Sequence, residues 1–134
     1  MIDDPALAAM LWKRITLRFP IAKNNRGWEP VALNERLRFL RYHPDDYFKQ
    51  HSDGCFVRSD SERSLMTCML YLNETQAQAG GETHFYQGYD TRVATVIPKP
   101  GRCLLFAHQL VHESALLKSG LKFAIRTDVM FRKN

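Results

Sequence analysis

From residue 36 onward the chain is a succession of short apolar or alternating segments, and this pattern constrains the fold more than any other feature. Turn residues separate the segments: Gly80 and Gly81 follow one of them, and Lys-Pro-Gly at 99–101 precedes another. The predicted strands are RLRFLRY, SLMTCMLYLN, THFYQG, TRVATVIP, RCLLFA and LKFAIRTDVMF. Many short strands at close spacing are typical of an all-β sandwich or barrel.

One helix is predicted ahead of the strands. Asp3 and Asp4 precede Pro5, which is a helix-start signal with an acidic N-cap and a proline in the first turn. Apolar residues then recur at helical spacing, so that the helix should span about residues 4–18. The stretch at 22–35 contains Asn, Gly and Pro and is interpreted as a loop.

Length and composition indicate one globular domain. A chain of 134 residues, 45% hydrophobic and 25% charged, can bury one core but is too short for two. We expect a single domain over 1–134, with the helix at about 4–18 and a β-barrel at about 36–132. The chain begins almost at the helix, so a minimal natural domain and one shortened at its N-terminus both remain open.

Charge and cysteine content predict an intracellular protein, cytoplasmic or nuclear. Cys55, Cys68 and Cys103 form no CxxC pair, the N-terminus lacks the charge order of a secretory signal, and no apolar run is long enough to span a membrane. The net charge of +5 is scattered along the chain, which is typical of a solvated surface. An anionic substrate or a small basic pocket remains an alternative, and nucleic acid is not an expected partner.

The tetrapeptide HSDG at 51–54 suggests a metal site. Side chains two residues apart in a strand point to one face, so His51 and Asp53 could aim at one ion. The third ligand has two candidates, His108 and His112. Lys122 lies ten residues after His112 and favours it, since a cation there could hold the carboxylate of a co-substrate. Two histidines and one carboxylate leave three positions open, which suits a non-haem Fe(II) oxygenase.

These residues give the chain a resemblance to the prolyl 4-hydroxylase branch of the Fe(II)/2-oxoglutarate-dependent dioxygenases. The matching segments run in order from about Arg38 to Phe131. They are Tyr42, nine residues before the HxD pair; His51 and Asp53; TCMLYLN at 67–73; GGETHF at 80–85; PKPGRCLLF at 98–106; and HES at 112–114 with GLKFAIRTDVMF at 120–131.

The resemblance implies a mainly β fold, a double-stranded β-helix (jelly-roll) barrel with a supporting N-terminal helix. It implies three Fe(II) ligands: His51, Asp53 and His112. It implies four residues around the co-substrate 2-oxoglutarate: Lys122, Tyr71, Tyr42 and Thr67. Ascorbate is a candidate reductant, and O₂ is the second co-substrate. Arg126 shares the Lys122 face of the last strand and is predicted either to contact the co-substrate or substrate entrance or to lie at the surface. His108 is predicted to lie beside the ligands without binding the ion.

The function implied is hydroxylation of an aliphatic C–H, with prolyl in a peptide or protein as the preferred substrate. The same chemistry on a free amino acid, a small metabolite or an alkylated base is one alternative. The demethylase branch usually holds 2-oxoglutarate with arginine, whereas this chain has Lys122, which disfavours an alkylated base. A jelly-roll module that binds a partner without catalysis is the other alternative.

Overall fold

The computed structural model describes residues 1–24 and 26–134, and within them one helix is followed by a series of short strands. In chain order the elements are β1 (Ile2–Asp3), α1 (Pro5–Arg18), β2 (Glu29–Leu33), β3 (Arg36–Tyr42), β4 (Phe48–His51), β5 (Val57–Ser59), β6 (Glu62–Tyr71), β7 (Thr83–Gln87), β8 (Thr91–Val96), β9 (Cys103–Ala107), β10 (Val111–Ser114) and β11 (Lys122–Arg132). In the described part of the chain, no helix is both long and apolar enough to cross a membrane.

The larger of two antiparallel sheets is built around β11. Its strand order is β1-β3-β11-β6-β5, with β2 also paired to β11 and β9 to β6. Alternation along β6 turns Thr67 toward the barrel interior and Cys68 toward the helix, so the strand contributes to two different environments.

The smaller sheet has the strand order β4-β10-β7-β8 and carries the HSDG segment. Two antiparallel sheets and one helix near the N-terminus confirm the predicted mainly β, double-stranded β-helix fold.

Helix α1 supports the outer face of the larger sheet. The Asp4 side chain caps it by accepting a hydrogen bond from the Leu7 amide at 2.9 Å. Ala8 of the helix is buried in one cluster with Leu33 and Val129 of the sheet. The predicted helix is therefore confirmed within one residue of each end.

The interpretation of residues 22–35 as a loop was wrong for Glu29–Leu33. This segment forms β2 and pairs with β11, Leu33 lying opposite Val129. Its five residues include a proline and are too few to display a clear period, and their pairing partner is almost a hundred residues away. Asn25, inside the same predicted loop, lies outside the described residues.

Gly80, in the segment between β6 and β7, contacts the segment that precedes β11. Its φ is +83°, and an isolated bridge pairs it with Leu117. A Cβ at this position would lie 1.9 Å from the backbone oxygen of Leu116, so only glycine fits here without moving the chain.

Candidate metal centre

Pairing of β4 with β10 brings the two predicted histidine ligands together. His51 and His112 are direct cross-strand partners, and their ring centroids lie 4.3 Å apart. Asp53 follows β4, and its amide donates to the carbonyl oxygen of His108 at 2.8 Å, which turns the carboxylate toward the two rings.

The three side chains present their ligand atoms to one point. Asp53 Oδ1 lies 3.4 Å from Nε2 of His51 and 3.6 Å from Nε2 of His112. The ligand atoms all lie within 4.8 Å of one another. The structure thus brings His112, rather than His108, into the triad with His51 and Asp53.

Backbone carbonyl groups fix the tautomer of both rings. Nδ1 of His51 lies 2.7 Å from the Lys49 oxygen, and Nδ1 of His112 lies 2.9 Å from the Leu110 oxygen. A carbonyl only accepts, so each Nδ1 carries the proton and each Nε2 keeps its lone pair for a metal ion. Burial also lowers the pKa of His112, which favours the neutral, ligating form.

A chain of hydrogen bonds orients the carboxylate from behind. The Thr67 hydroxyl donates to Asp53 Oδ2 at 2.6 Å, and Thr67 Oγ1 lies 2.9 Å from Nδ1 of His108. Nε2 of His108 lies 2.8 Å from Ser64 Oγ, which accepts from the Phe56 amide at 2.8 Å. Because the single hydroxyl proton of Thr67 points to Asp53, His108 must donate from Nδ1 and accept from Ser64 at Nε2.

Two residues that the sequence analysis singled out, His108 and Thr67, belong to this series of hydrogen bonds. His108 lies beside the triad with both ring nitrogens engaged by hydroxyl groups. Burial lowers its pKa, in keeping with the neutral ring that the hydrogen bonds require. Thr67 differs from its predicted place around the co-substrate. It does face inward, but the backbone contact of Asp53 with His108 brings the carboxylate onto its hydroxyl.

A buried cation lies in the cavity next to the triad. Lys122 is 1% exposed, and its Nζ donates to Ser114 Oγ at 2.8 Å and lies 4.6 Å from the centre of the Tyr42 ring. The cavity has a volume of about 140 Å³ and is lined by Lys122, Tyr42 and Ser114 together with the three triad residues. Within the described residues Lys122 has no ion-pair partner, so the cavity offers an uncompensated positive charge.

The donor set fits a divalent ion of the Fe(II) type. Two neutral imidazoles and one carboxylate would hold such an ion from one side, and the adjoining cavity leaves room for further ligands. A model of the 2OG-Fe(II) oxygenase superfamily matches residues 37–127, which include the whole triad and Lys122. The chain belongs to the 2OG-Fe(II) oxygenase superfamily. The resemblance drawn from the motifs is thereby confirmed, and membership implies Fe(II) and 2-oxoglutarate.

Solved members of the superfamily share the fold. A prolyl-4-hydroxylase from Pseudomonas putida is 23% identical, with a TM-score of 0.59 over 81% of this chain and 55% of the other. A viral collagen prolyl hydroxylase from Paramecium bursaria Chlorella virus-1 is 24% identical, with a TM-score of 0.53 over 74% of this chain and 62% of the other. A prolyl hydroxylase from Trichoplax adhaerens, solved with a hypoxia inducible factor peptide fragment, is 20% identical, with a TM-score of 0.59 over 76% and 46%.

A curated relative comes from a virus. An uncharacterised protein of fowlpox virus (strain NVSL) is 29% identical over 105 residues, which are 78% of this chain and 23% of that protein. The chain therefore spans about a quarter of this relative and about half of the solved structures that it matches.

The cavity of this superfamily member fits a dicarboxylate co-substrate. A lone buried ammonium is costly, and burial lowers the pKa of Lys122 to about 8, with Glu82 opposing this shift. The carboxylate of 2-oxoglutarate would supply the missing counter-charge.

The structure divides the predicted co-substrate residues into two groups. Tyr42 lines the cavity with Lys122, whereas Tyr71 lies behind it, fully buried, with its hydroxyl on Thr83. Burial raises the pKa of Tyr71 to about 12, so the hydroxyl stays protonated.

Sequence reasoning missed the two hydroxyl groups that reach the cavity itself. Thr83 and Ser114 both line it, and Ser114 contacts Lys122 directly. Ser114 could have been found, because it lies two residues after His112 and so on the same face of β10.

Arg126 borders both the cavity and the metal centre. Its Nη2 is 3.4 Å from Asp53 Oδ1, and its side chain lines the same cavity as Lys122. The two residues are four apart on β11, so alternation correctly placed them on one face.

Proposed function

We propose that this chain is an Fe(II)- and 2-oxoglutarate-dependent dioxygenase that hydroxylates an aliphatic C–H, with prolyl in a peptide or protein as its substrate. The observation that carries the proposal is the His51, Asp53 and His112 face, which opens onto a cavity holding the buried ammonium of Lys122. A binding module without catalysis would not need this combination of a three-ligand face and an uncompensated cation.

Each residue has a defined part in the proposed reaction. His51, Asp53 and His112 would hold the iron, and Thr67 keeps one oxygen of Asp53 occupied so that the other faces the ion. Lys122, steadied by Ser114 and enclosed by Tyr42, would hold the far carboxylate of 2-oxoglutarate. Fe(II) with 2-oxoglutarate and O₂ supplies the oxidising equivalents for hydroxylation, with succinate and CO₂ as co-products.

The prolyl assignment rests on similarity and on the shape of the site. All three solved relatives described above are named prolyl hydroxylases, and one of them holds a peptide. A second cavity of about 380 Å³ adjoins His51 and Asp53, and the aromatic rings of Phe48 and Phe56 line it. These two aromatic rings could pack against the apolar pyrrolidine ring of a prolyl residue, while the rest of the peptide stays exposed to solvent.

The first test is an anaerobic titration of the purified chain with Fe(II) and then 2-oxoglutarate. We expect the visible metal-to-ligand charge-transfer band of the chelate to appear at one equivalent of iron. His112→Ala should abolish it, whereas His43→Ala, which removes an exposed histidine outside the site, should leave it unchanged. Iron binding without the band would contradict the co-substrate pocket, and no iron binding would contradict the metal centre.

The second test addresses the substrate. Proline-containing peptides are added with O₂ to the loaded protein, and succinate and hydroxyproline are quantified together. We expect equal amounts of the two products, and only background succinate with a peptide in which alanine replaces proline. Substrate-dependent succinate without hydroxyproline would contradict the prolyl assignment while leaving the dioxygenase assignment intact.

A further inference from the structure

Two arginine side chains face each other across the mouth of the metal centre. Arg38 on β3 and Arg126 on β11 are direct cross-strand partners, and both line the 140 Å³ cavity that contains Lys122. Like charges placed directly opposite in a sheet repel and destabilise it. Arg38 is exposed and Arg126 is partly buried, so water screens part of this repulsion, and an anion bound between them would reduce it further.

The acids nearby compensate this positive charge only in part. Among the described residues Arg126 forms one ion pair, with Asp53, and Arg38 forms none. Asp53 would be a ligand of the metal ion. Asp128 lies two residues beyond Arg126 and lines the 380 Å³ cavity with both arginines. Its Oδ1 is 4.0 Å from Nε2 of His108; burial raises the pKa of its carboxyl, whereas His108, Arg126 and Arg38 lower it. Apart from the ligand Asp53, the charged residues that line the 380 Å³ cavity are the two arginines and one acid, Asp128, so the mouth keeps a surplus of positive charge.

The co-substrate already has its own cation. Lys122 lies four residues before Arg126 on the same face of β11, and it is buried against Ser114 and Tyr42. Arg38 and Arg126, in contrast, also line the 380 Å³ cavity on the outer side of the triad. That cavity is bounded by Ser52, Gly54, Cys55 and Phe56 of the loop after β4. The arginine pair thus stands where a substrate would enter.

We propose that Arg38 and Arg126 together bind a carboxylate group of the substrate and thereby hold its target C–H beside the metal centre. This inference rests on the proposed dioxygenase function. Planar guanidinium groups bind carboxylates through paired hydrogen bonds, which fixes orientation as well as position. The carboxylate has two sources: the α-carboxylate of a free amino acid such as proline, or an acidic side chain next to the prolyl residue of a peptide.

Binding is measured by calorimetry under anaerobic conditions, with the chain loaded with Fe(II) and 2-oxoglutarate so that no turnover consumes the probe. One probe pair is L-proline and L-prolinamide. The other is the N-acetylated, C-amidated tripeptide alanine-proline-glutamate and its glutamine counterpart. In one of the pairs we expect the acid to bind about tenfold or more tightly than the amide that lacks its carboxylate, as charge-assisted contacts imply. The pair that shows the preference identifies the source of the carboxylate.

Three variants test the assignment to this pair of arginines. Arg38→Gln and Arg126→Gln should abolish the preference for the acid while leaving binding of the amide probe within about twofold. Arg41→Gln removes an exposed charge from the same strand and should behave as the wild type. Arg38→Gln is the cleaner variant, because Arg126 also contacts Asp53.

The charge-transfer band of each loaded variant separates the two hypotheses. Its absence from the wild type contradicts the proposed function itself. If the band is intact, equal affinities within both pairs, or no binding of either acid, overturns the carboxylate site. A variant that loses 2-oxoglutarate affinity but keeps the preference for the acid assigns the arginines to the co-substrate and also overturns the proposal.

Discussion

At the scale of single residues, the orientation of Asp53 is the property on which the metal centre depends. One carboxylate oxygen faces the two imidazoles, and the other is held by Thr67, which is itself held by His108. Partners behind a metal ligand fix its direction and so contribute to metal affinity. The centre is therefore larger than its three ligands and includes a hydrogen-bond chain that reaches the loop after β4.

Thr67→Val removes this hydroxyl while keeping the shape of the side chain. We expect the affinity for Fe(II) to fall by about 10-fold to 100-fold, measured by anaerobic titration. Thr127→Val is the matched control, since it removes another buried hydroxyl that donates to the Asn34 carbonyl at 2.7 Å, away from the triad. An affinity for Fe(II) that is equal in Thr67→Val and the wild type would show that the chain does not orient Asp53.

Lys122 should make 2-oxoglutarate binding depend on pH. Burial lowers its pKa to about 8, with Glu82 opposing the shift and the Tyr42 and Tyr71 rings enclosing the ammonium. The protonated form binds the carboxylate, so affinity should be constant below this pKa and fall about tenfold per pH unit above it. Calorimetry above pH 8 should show that binding takes up a proton.

Lys122→Met keeps the apolar stem and removes the charge. Its 2-oxoglutarate affinity should be weak and should not change around pH 8. A wild-type affinity that stays flat from pH 7 to 9.5 would remove Lys122 from contact with the co-substrate.

At the scale of elements, the metal centre is a product of strand pairing. β4 and β10 are each four residues long, yet their register sets His51 opposite His112. The longer β11 carries Lys122 and Arg126 on the face that meets this pair. The smaller sheet thus presents the ligands, and the larger one presents the cations.

The sequence predicted the long elements and the triad far better than the contacts between them. β3, β6 and β11 display a period that residue patterns reveal, and the HxD pair with the His112-to-Lys122 spacing is a specific motif. A segment as short as β2 displays no such period, so its residue pattern predicts a loop. The alternation of side chains along β6 predicts that Thr67 faces the barrel interior, but it does not predict which group its hydroxyl contacts there. That depends on how Asp53 bonds to the backbone at His108.

Gly80→Ala tests the bridge that fixes the approach to β11. The new Cβ would lie 1.9 Å from the Leu116 oxygen at a φ of +83°, so we expect a loss of at least about 3 kcal/mol in the free energy of unfolding. Gly101→Ala shares a positive φ of +79° but meets nothing within 4 Å, and should cost only about 1–2 kcal/mol. Urea denaturation compares the two, and equal losses would mean that the close contact at Gly80 is not maintained.

At the scale of the whole molecule, the co-substrate would connect the two sheets. Its iron-binding end would rest on ligands from β4 and β10, and its far carboxylate would rest on Lys122 of β11. Anything that binds only the folded state stabilises it, so the metal and the co-substrate should each raise the melting temperature, the second only after the first.

Thermal denaturation of the chain with Mn(II), an ion of similar ligand preference that does not oxidise readily, tests this linkage. Each ligand at 100 times its dissociation constant should add about 2.7 kcal/mol. In Lys122→Met the metal increment should remain and the 2-oxoglutarate increment should be lost. Equal stabilisation by 2-oxoglutarate with and without metal would contradict the connection between the sheets.

The central place of β11 also has a consequence for how the protein forms during synthesis. β3 and β6 are synthesised before β11 and pair with it rather than with each other. The edge that each presents to β11 therefore stays unpaired until β11, the last of the described strands, has been synthesised. Pairings distant in sequence form slowly, and waiting strand edges are prone to associate with other chains. The segment that carries Lys122 and Arg126 is thus also the one whose arrival lets the larger sheet close.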